Sequence, residues 1–187
     1  MLKRTVDFFL AVAALTLLLV PMVALAVLIR ITSAGPAIYW SDRVGRENRM
    51  FMMPKFRSMR VGSPAVPTHL LNNPRLYLTP VGSFIRKSSL DELPQLWSVL
   101  VGDMSFVGPR PALFNQHDLI ALRTAYGVHA LYPGITGWAQ VNGRDELSVP
   151  EKVALDVEYL RLRGFWFDMR ILYMTFFKVI RSHGVSH

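Results

Sequence analysis

A long apolar run near the N-terminus limits the folds open to this chain more than any other feature. Every residue from Phe8 to Ile31 is apolar except Thr16, Pro21 and Arg30. A straight helix of this length would be about 36 Å long, and the hydrocarbon core of a bilayer is roughly 30 Å thick. The run therefore predicts a membrane helix, with a kink where Pro21 removes a backbone hydrogen bond.

The charges that flank the run do not give this helix a direction. Lys3 and Arg4 precede it, and Arg30 closes it. An excess of basic residues at one end would orient a helix, so basic residues at both ends fit a helix whose two ends lie on the same face of the membrane. The run alone leaves open a spanning helix, a re-entrant helix and a cleaved signal peptide, although it exceeds the usual signal-peptide apolar region of about 7 to 15 residues.

The composition is that of one basic, apolar-rich domain. The 187 residues suffice for a single domain with its own core, and 51% of them are hydrophobic. The formal net charge of +8 suits anionic lipid headgroups, phosphorylated substrates or nucleic acid. The chain has no cysteine, which excludes disulfides, thiolate metal sites and cysteine nucleophiles and is compatible with a reducing compartment.

The segment 89–111, SLDELPQLWSVLVGDMSFVGPRP, combines two adjacent acids with a rigid turn. Ser89 and Glu92 have the spacing of a capping box, which predicts a helix that begins at Ser89 with Asp91 and Glu92 in its first turn. Gly102 ends this predicted helix, and the prolines on either side of Arg110 predict a stiff turn that presents one guanidinium. An acid pair and a fixed arginine are thus expected at opposite ends of the segment.

Elsewhere the hydrophobic pattern predicts short strands and several helices. The predicted strands cover 37–40, 50–59 and 139–141, turns cover 43–45 and 142–144, a long loop covers 61–80, and helices cover 113–126, 148–163 and 165–181. Ser148 and Glu151 mark the clearest helix start, again with capping-box spacing. The predicted fold class is α+β: a mostly helical single domain with short β-hairpins behind the N-terminal membrane helix.

Cations flank the acid pair in the sequence and recur in the predicted turns and strands. Arginine presents a planar fork to phosphate oxygens, and carboxylates among cations can hold Mg²⁺ or attack phosphorus. This combination predicts a site for phosphoryl chemistry. Each feature alone has a plainer explanation, since acids are common at helix starts and surface cations are typically solvated.

The familiar nucleotide and metal motifs are missing from the sequence. It contains no Walker A loop, GxGxxG, HExxH or EF-hand spacing, and its five histidines have no metal-ligand spacing. A basic membrane-anchored scaffold or a nucleic-acid-binding module stays open as an alternative. A nucleic-acid partner would explain the charge, but it would leave the apolar run and the acid pair without a role.

Several long motifs, in order, resemble the bacterial sugar transferase family, the monotopic polyprenyl-phosphate phosphoglycosyltransferases. They are KFRSM (55–59), SLDELPQL (89–96), GDMSFVGPRP (102–111) and PGITG (133–137) followed by NGR (142–144). The resemblance extends from the N-terminal helix to Asp168 and is strongest to the small members that consist of the catalytic domain only.

The resemblance implies an enzyme that transfers a sugar 1-phosphate from a nucleoside diphosphate sugar, usually a uridine one, to undecaprenyl phosphate. It also implies Mg²⁺, release of the nucleoside monophosphate and a covalent intermediate on Asp91, with Glu92 beside it in metal or proton handling. Asp91 and Glu92 are accordingly the predicted catalytic residues and metal ligands. A carboxylate at a helix N-terminus near cations is expected to stay ionised. The predicted substrate-binding residues are Lys55, Arg57, Arg86, Arg110 and Arg144.

The resemblance further implies that residues 1–34 form a re-entrant membrane helix and residues 35–187 a catalytic domain with a C-terminal interfacial helix. The catalytic domain would face the cytoplasm on the bacterial inner membrane, in contact with bilayer lipids and without nucleic acid. This chain has Val20-Pro21 where the family commonly has Ser-Pro, so its kink depends on the proline alone. The sugar, the glycan pathway and the oligomeric state stay open, a homo-oligomer included.

Overall fold

The computed structural model describes residues 2–64, 73–143 and 146–181. The predicted loop 61–80 is therefore described only at its two ends. Of the predicted turn 142–144, Arg144 lies outside the described residues. The described chain is mostly helical with short strands, which confirms the predicted α+β class.

The apolar run that is predicted to form a membrane helix is α1 (Leu2–Thr32), a continuous helix that contains Pro21. Within the described ranges, α1 is the one helix long and apolar enough to cross a membrane. Its buried residues are Asp7, Ala11, Leu25 and Ile29, which recur at helical spacing along one face. That face packs against the rest of the protein, while the other faces leave apolar side chains exposed.

Polar side chains fasten both ends of α1 to the rest of the chain. At the start, the Lys3 ammonium forms an ion pair with Asp168. Just past the other end, the Arg57 guanidinium donates hydrogen bonds to the backbone carbonyls of Ser33, at 2.8 Å, and Ala34. The same folded unit therefore holds the helix at its first turn and immediately after its last.

Two small sheets form next to α1. Strand β1 (Ile38–Val44) pairs antiparallel with β2 (Met50–Phe56) on one side and with β4 (Ala112–Leu113) on the other. Strand β3 (Ser105–Val107) pairs parallel with β5 (Gly134–Thr136). The first two strands confirm the predicted ones, although β1 runs on to Val44, where the sequence predicts a turn, and β2 ends at Phe56 and not at Met59 as predicted.

The segment with the acid pair folds differently from the prediction. Helix α2 (Gly82–Lys87) is followed by a single 3₁₀ turn, Leu90–Glu92, and then by α3 (Gln95–Val101). Ser89 has φ +56°, in the left-handed region, and its side chain makes no cap hydrogen bond. The predicted capping box is therefore wrong here, because Glu92 is bonded to cations from distant parts of the chain instead.

The C-terminal half is helical. It contains α4 (His117–Ala125), a 3₁₀ turn (Val128–Ala130), α5 (Trp138–Asn142), α6 (Val149–Leu162) and α7 (Phe165–Arg181). The capping box of Ser148 and Glu151 at the start of α6 is confirmed, with both reciprocal hydrogen bonds present. Helix α7 has the predicted bounds.

The predicted strand 139–141 is wrong, because these residues belong to α5. Trp138, Ala139 and Val141 are buried, and the Asn142 side chain donates to the carbonyl of Trp138 at 2.8 Å, which closes the helical turn. Three residues, of which only Ala139 and Val141 are apolar, are too few to distinguish a helical period from a strand period. The packing against neighbouring helices decides between them.

The core joins α1 to the rest of the fold. Ala11 of α1 packs in one cluster with Met53 of β2 and Val99 of α3. Ile29, near the other end of α1, packs in a second cluster with Phe56. The apolar helix thus contributes to the hydrophobic core and also carries exposed apolar side chains.

Candidate active site

Glu92 is the centre of a shielded cluster of charged side chains. Its Oε1 atom accepts hydrogen bonds from Lys55 Nζ at 3.0 Å and from Arg110 Nη2 at 2.5 Å. The side chains of Lys55 and Glu92 are only 14% and 11% exposed. One carboxylate thus holds two cations together, and the cluster carries an excess of positive charge.

The hairpin of β1 and β2 brings a further arginine to this cluster. Lys55 lies opposite Tyr39 in the antiparallel register, so alternate residues of β1, including Ser41 and Arg43, share the face of Lys55. The Arg43 guanidinium donates to Ser41 Oγ at 3.0 Å and to the carbonyl of Pro111 at 3.1 Å. Burial, and then the Arg110 guanidinium, lower the pKa of Arg43 to about 10.

Arg43 is a site residue that the sequence prediction missed. The prediction ends the strand too early and assigns Arg43 to a turn. The signal that could have found it is the alternation of Tyr39, Ser41 and Arg43, which continues the period of a half-buried strand up to the predicted turn.

A buried ion pair supports the turn that carries Arg110. The Arg123 guanidinium donates to the carbonyl of Arg110 at 2.7 Å and to Asp156 Oδ2 at 2.9 and 2.6 Å. Arg123 and Asp156 are both buried. Because Arg123 is held on α4 by a carboxylate of α6, the backbone of Arg110 is fixed from behind.

Close backbone packing fixes the same turn from the side. The amide of Gly108 donates to the carbonyl of Thr136, and the amide of Gly134 donates to the carbonyl of Pro109, both at 2.9 Å. A Cβ atom on Gly108 would lie only 2.3 Å from the carbonyl oxygen of Tyr132. The two glycine-rich motifs of the sequence therefore pack against each other, and only glycine fits at position 108.

Asp91 precedes Glu92 in the 3₁₀ turn and lies in the same electrostatic environment. Burial raises the pKa of the Asp91 carboxyl above its ordinary value; Lys55, Arg86 and Arg110 act against this rise, whereas Glu92 adds to it. Burial also lowers the pKa of Lys55, which Glu92 opposes. The structure thus differs from the expectation that a helix N-terminus and nearby cations would dominate at Asp91, since the carboxyl belongs to a short 3₁₀ turn and is partly shielded from water.

A cavity of about 370 Å³ opens beside the cluster. Glu92 and Arg110 form part of its wall, and α1 contributes Ala14 and Leu18. The cavity is lined by Glu92 and not by its neighbour Asp91. The charged cluster therefore meets the apolar helix across this space.

The predicted substrate-binding residues separate into three groups. Lys55 and Arg110 meet at Glu92, and Arg86 is close enough to influence the pKa of Asp91. Arg57 does not join them, since its guanidinium is engaged by the carbonyls that follow α1. Arg144 lies outside the described residues, so its predicted role stays a prediction.

The acid pair provides few ligands for a metal. Among the described residues no group of three or more histidine, aspartate or glutamate side chains could hold a metal ion. Mg²⁺ is typically bound by one or two carboxylates together with water and substrate phosphates, so the donor set of Asp91 and Glu92 fits Mg²⁺ only when a phosphorylated substrate completes it. Lys55 and Arg110 already engage Glu92, which leaves Asp91 as the better ligand of the two.

A family model and several known proteins match most of this chain. A model of the family described as bacterial sugar transferase matches residues 1–182. The UDP-glucose:undecaprenyl-phosphate glucose-1-phosphate transferase of Escherichia coli is 41% identical over 187 residues, which are 95% of this chain and 40% of that protein. The uncharacterized sugar transferase EpsL of Bacillus subtilis is 38% identical and is matched over 90% of its length by 99% of this chain.

The name of a third relative specifies a different sugar. The UDP-N-acetylgalactosamine-undecaprenyl-phosphate N-acetylgalactosaminephosphotransferase of Aeromonas hydrophila is 37% identical over 98% of this chain and 44% of its own length. The chain thus spans about two fifths of the length of these two named transferases. Relatives at similar identity differ in the sugar that their names specify.

Proposed function

The chain belongs to the bacterial sugar transferase family, and from this premise we propose that it transfers a sugar 1-phosphate from a nucleoside diphosphate sugar to undecaprenyl phosphate. The nucleoside is uridine in this proposal, because the names of the relatives specify UDP sugars. The observation that carries the proposal is the shielded cluster in which Glu92 holds Lys55 and Arg110 beside Asp91, at the wall of a cavity that α1 completes.

Asp91 is the nucleophile of the proposed reaction. Its carboxylate oxygen forms a bond to the sugar-linked phosphorus while the bond from that phosphorus to the bridging oxygen breaks, and the nucleoside monophosphate leaves with that oxygen. An oxygen of undecaprenyl phosphate then attacks the same phosphorus, and the bond to Asp91 breaks. The products are the undecaprenyl diphosphate sugar and the original carboxylate, so atoms and charge balance over the two steps.

The cations around Glu92 bind and orient the diphosphate. Phosphoryl transfer depends mainly on positioning and charge neutralisation, and a guanidinium fork fits phosphate oxygens. Arg110 and Lys55 keep the site net positive even when the charge of Glu92 is included, and Arg43 adds a further positive charge. Glu92 orients the two cations in this proposal. It does not cap a helix, and it does not act by itself as a proton donor.

Burial and the neighbouring cations have opposite effects on the ionisation of Asp91. The attack requires the carboxylate form, which burial disfavours and which Lys55, Arg86 and Arg110 favour. In this proposal Asp91, together with substrate phosphate oxygens, would hold Mg²⁺, which when bound supplies further neutralisation of the diphosphate. Substrate binding therefore completes the environment in which Asp91 reacts.

The monotopic arrangement and the cytoplasmic orientation are part of the proposal. A spanning helix has its ends on opposite sides of a hydrocarbon core about 30 Å thick, whereas the same folded domain contacts Lys3 and the residues just after α1. Spanning would draw that polar domain into the bilayer. An embedded helix with both ends on one face avoids this, and the exposed apolar side chains of α1 and α7, such as Leu17 and Trp166 at 79% and 80% exposure, would then meet lipid.

The test is release of uridine monophosphate by the purified protein from a panel of UDP sugars, with undecaprenyl phosphate and Mg²⁺ present. A donor labelled in the sugar should also leave label on the denatured protein when the acceptor lipid is omitted. Loss of both signals in Asp91→Asn is the expected result. Full turnover of that variant would remove Asp91 from the chemistry.

A further inference from the structure

We propose that the acceptor lipid binds in the cavity of about 370 Å³, with its phosphate held by Lys87 and Lys178 and the start of its polyprenyl chain lying between α1 and α7. This site rests on the proposed function and deepens it, because it assigns a separate place to the second substrate. The donor diphosphate is left to the cluster around Glu92.

The walls of the cavity are mostly apolar. They come from α1, α3, the two parallel strands, α5 and α7, and the apolar lining residues include Leu18, Leu96, Phe106, Ile135 and Val179. Cavities that take small molecules have volumes of roughly 300–1,000 Å³, so this one admits a phosphate and the first isoprene units but not a whole polyprenyl chain. The rest of the lipid must lie outside, alongside the exposed apolar faces of the two helices.

Two lysines give the cavity a phosphate-binding character. Lys87 is the last residue of α2, and Lys178 lies on α7, so separate elements bring them to the same space. Both are exposed, and in the described part of the chain neither has a hydrogen-bond or ion-pair partner. A phosphate monoester carries close to two negative charges at neutral pH, which matches two uncompensated ammonium groups.

The acids that line the cavity offset these lysines only in part. Glu92 is engaged by Lys55 and Arg110, which leaves Glu146 as the other acidic lining residue. Lys87 also lies four positions before Asp91 in the sequence. Ser89 and Glu92, on either side of Asp91 in the chain, also line the cavity, so a phosphate held there would lie beside the turn that carries the phosphosugar in the proposed reaction.

The chemistry of the walls favours the acceptor over the donor. A sugar nucleotide is polar throughout and gains nothing from the side chains of an apolar membrane helix, whereas a polyprenyl phosphate joins one dianionic group to a long hydrocarbon chain. Apolar area removed from water contributes to binding roughly in proportion to its size. A cavity with a cationic end and a wall from α1 fits the second molecule.

Steady-state kinetics test the lysines. In the double variant Lys87→Gln/Lys178→Gln we expect the KM for undecaprenyl phosphate to rise about tenfold or more, with the KM for the donor unchanged. Arg161→Gln, which removes one charge from an exposed position on α6 outside the cavity, is the control and should change neither. An equal rise in both KM values, or no rise for the lipid, would overturn the assignment.

Photo-crosslinking tests the site without turnover, so that a failure here and a failure of the proposed function are distinguishable. Benzoylphenylalanine in place of Leu18, which lines the cavity, should capture labelled undecaprenyl phosphate in nanodiscs. The same group in place of Leu17, its neighbour on the exposed side of α1, reports the background from bulk lipid. Excess undecaprenol, which lacks the phosphate, and excess phosphatidylglycerol, a different anionic lipid, should compete poorly.

Capture at Leu18 above the background at Leu17, lowered in the lysine variant, supports the site even if no UDP sugar turns over. Equal capture at both positions in a protein that is active would overturn the site and leave the proposed function standing. Equal competition by phosphatidylglycerol would also overturn it, because the cavity would then be a general anionic-lipid site.

Discussion

Arg110 and Glu92 form a contact of 2.5 Å between residues that lie eighteen positions apart in the sequence. The same carboxylate oxygen also accepts from Lys55 at 3.0 Å, so Glu92 joins the turn after β3 to strand β2. All three side chains are at least partly shielded from water. Loss of Glu92 would separate the two cations from their shared carboxylate, whereas loss of either cation would leave Glu92 bonded to the other. The predictions below separate residues that react from residues that hold this contact.

Replacement of Glu92 should affect stability as well as activity. Glu92→Gln removes the carboxylate that joins Lys55 to Arg110, and removal of one partner from a buried pair typically lowers the free energy of unfolding by about 3 kcal/mol. Thermal unfolding should therefore shift downward, and turnover should fall because the cations lose their orientation. Labelling of the denatured protein by the sugar donor should slow but persist, since Asp91 remains.

Replacement of Asp91 should have the opposite effect on stability. Burial raises the pKa of Asp91, so the folded state favours the protonated form. That contribution is fully present below the ordinary aspartate pKa and is lost as the pH rises through the raised value, so the ionised carboxylate destabilises the fold at neutral pH. Asp91→Asn should therefore have a higher Tm than the parent at pH 7 while being inactive. The difference should vanish as the pH falls below about 4. A lower Tm at pH 7 would contradict the raised pKa.

The pH dependence of activity should reflect the same group. The proposed attack needs ionised Asp91, so kcat/KM should fall on the acidic side with an apparent pKa above the ordinary aspartate value of 3.8. Arg86→Gln removes a guanidinium that favours the ionised form, and should move this limb further upward. A limb that stays in place in Arg86→Gln would show that this arginine does not act on the reacting carboxylate.

Arg110 should not tolerate lysine. Arg110→Lys keeps the charge but loses the fork that can contact Glu92 and phosphate oxygens together, so kcat/KM should fall about 10- to 100-fold with a higher KM for the donor. Arg57→Lys is the matched comparison, because Arg57 contacts the carbonyls after α1 and not the cluster. It should lower the Tm and leave the kcat/KM of the folded protein close to that of the parent.

The topology of α1 can be tested with single cysteines, since the chain has none of its own. Leu2→Cys shows on which side of the membrane α1 begins. Asp42→Cys, at an exposed position of β1 after the end of α1, shows the side on which the chain continues. In intact spheroplasts a membrane-impermeant maleimide should label neither variant, and after permeabilisation it should label both. Labelling of only one of them from outside would mean that the helix spans the bilayer.

Local signals in the sequence predicted those parts of the fold that depend on neighbouring residues. The apolar run became α1, and the capping box of Ser148 and Glu151 begins α6 as predicted. The identical spacing at Ser89 and Glu92 did not, because Lys55 and Arg110 bind that glutamate from a strand and a turn that are distant in the sequence. Spacing cannot distinguish a glutamate that caps from one that is paired across the fold.

The site residues were likewise predictable where the residue type and its neighbours in the sequence indicate the chemistry. They were not predictable where the position of the side chain depends on how the chain packs. The acid pair and the arginine between two prolines are recognisable from the sequence. Arg43 was missed because the length of β1 depends on its pairing with β4, and Arg57 was grouped with Lys55 because the strand was predicted to extend past Phe56. The direction of each guanidinium depends on which carbonyls the folded chain leaves beside it.

The packing of Ala11 and Ile29 into the same clusters as Met53 and Phe56 ties the proposed lipid embedding of α1 to the integrity of the fold. Pulling α1 out of the protein would empty two regions of the core and release the anchors at Lys3 and Arg57. For this chain, therefore, departure from the membrane with α1 detached amounts to partial unfolding, and a water-soluble version made by deleting residues 1–34 would need a rebuilt interior before it could have an active site.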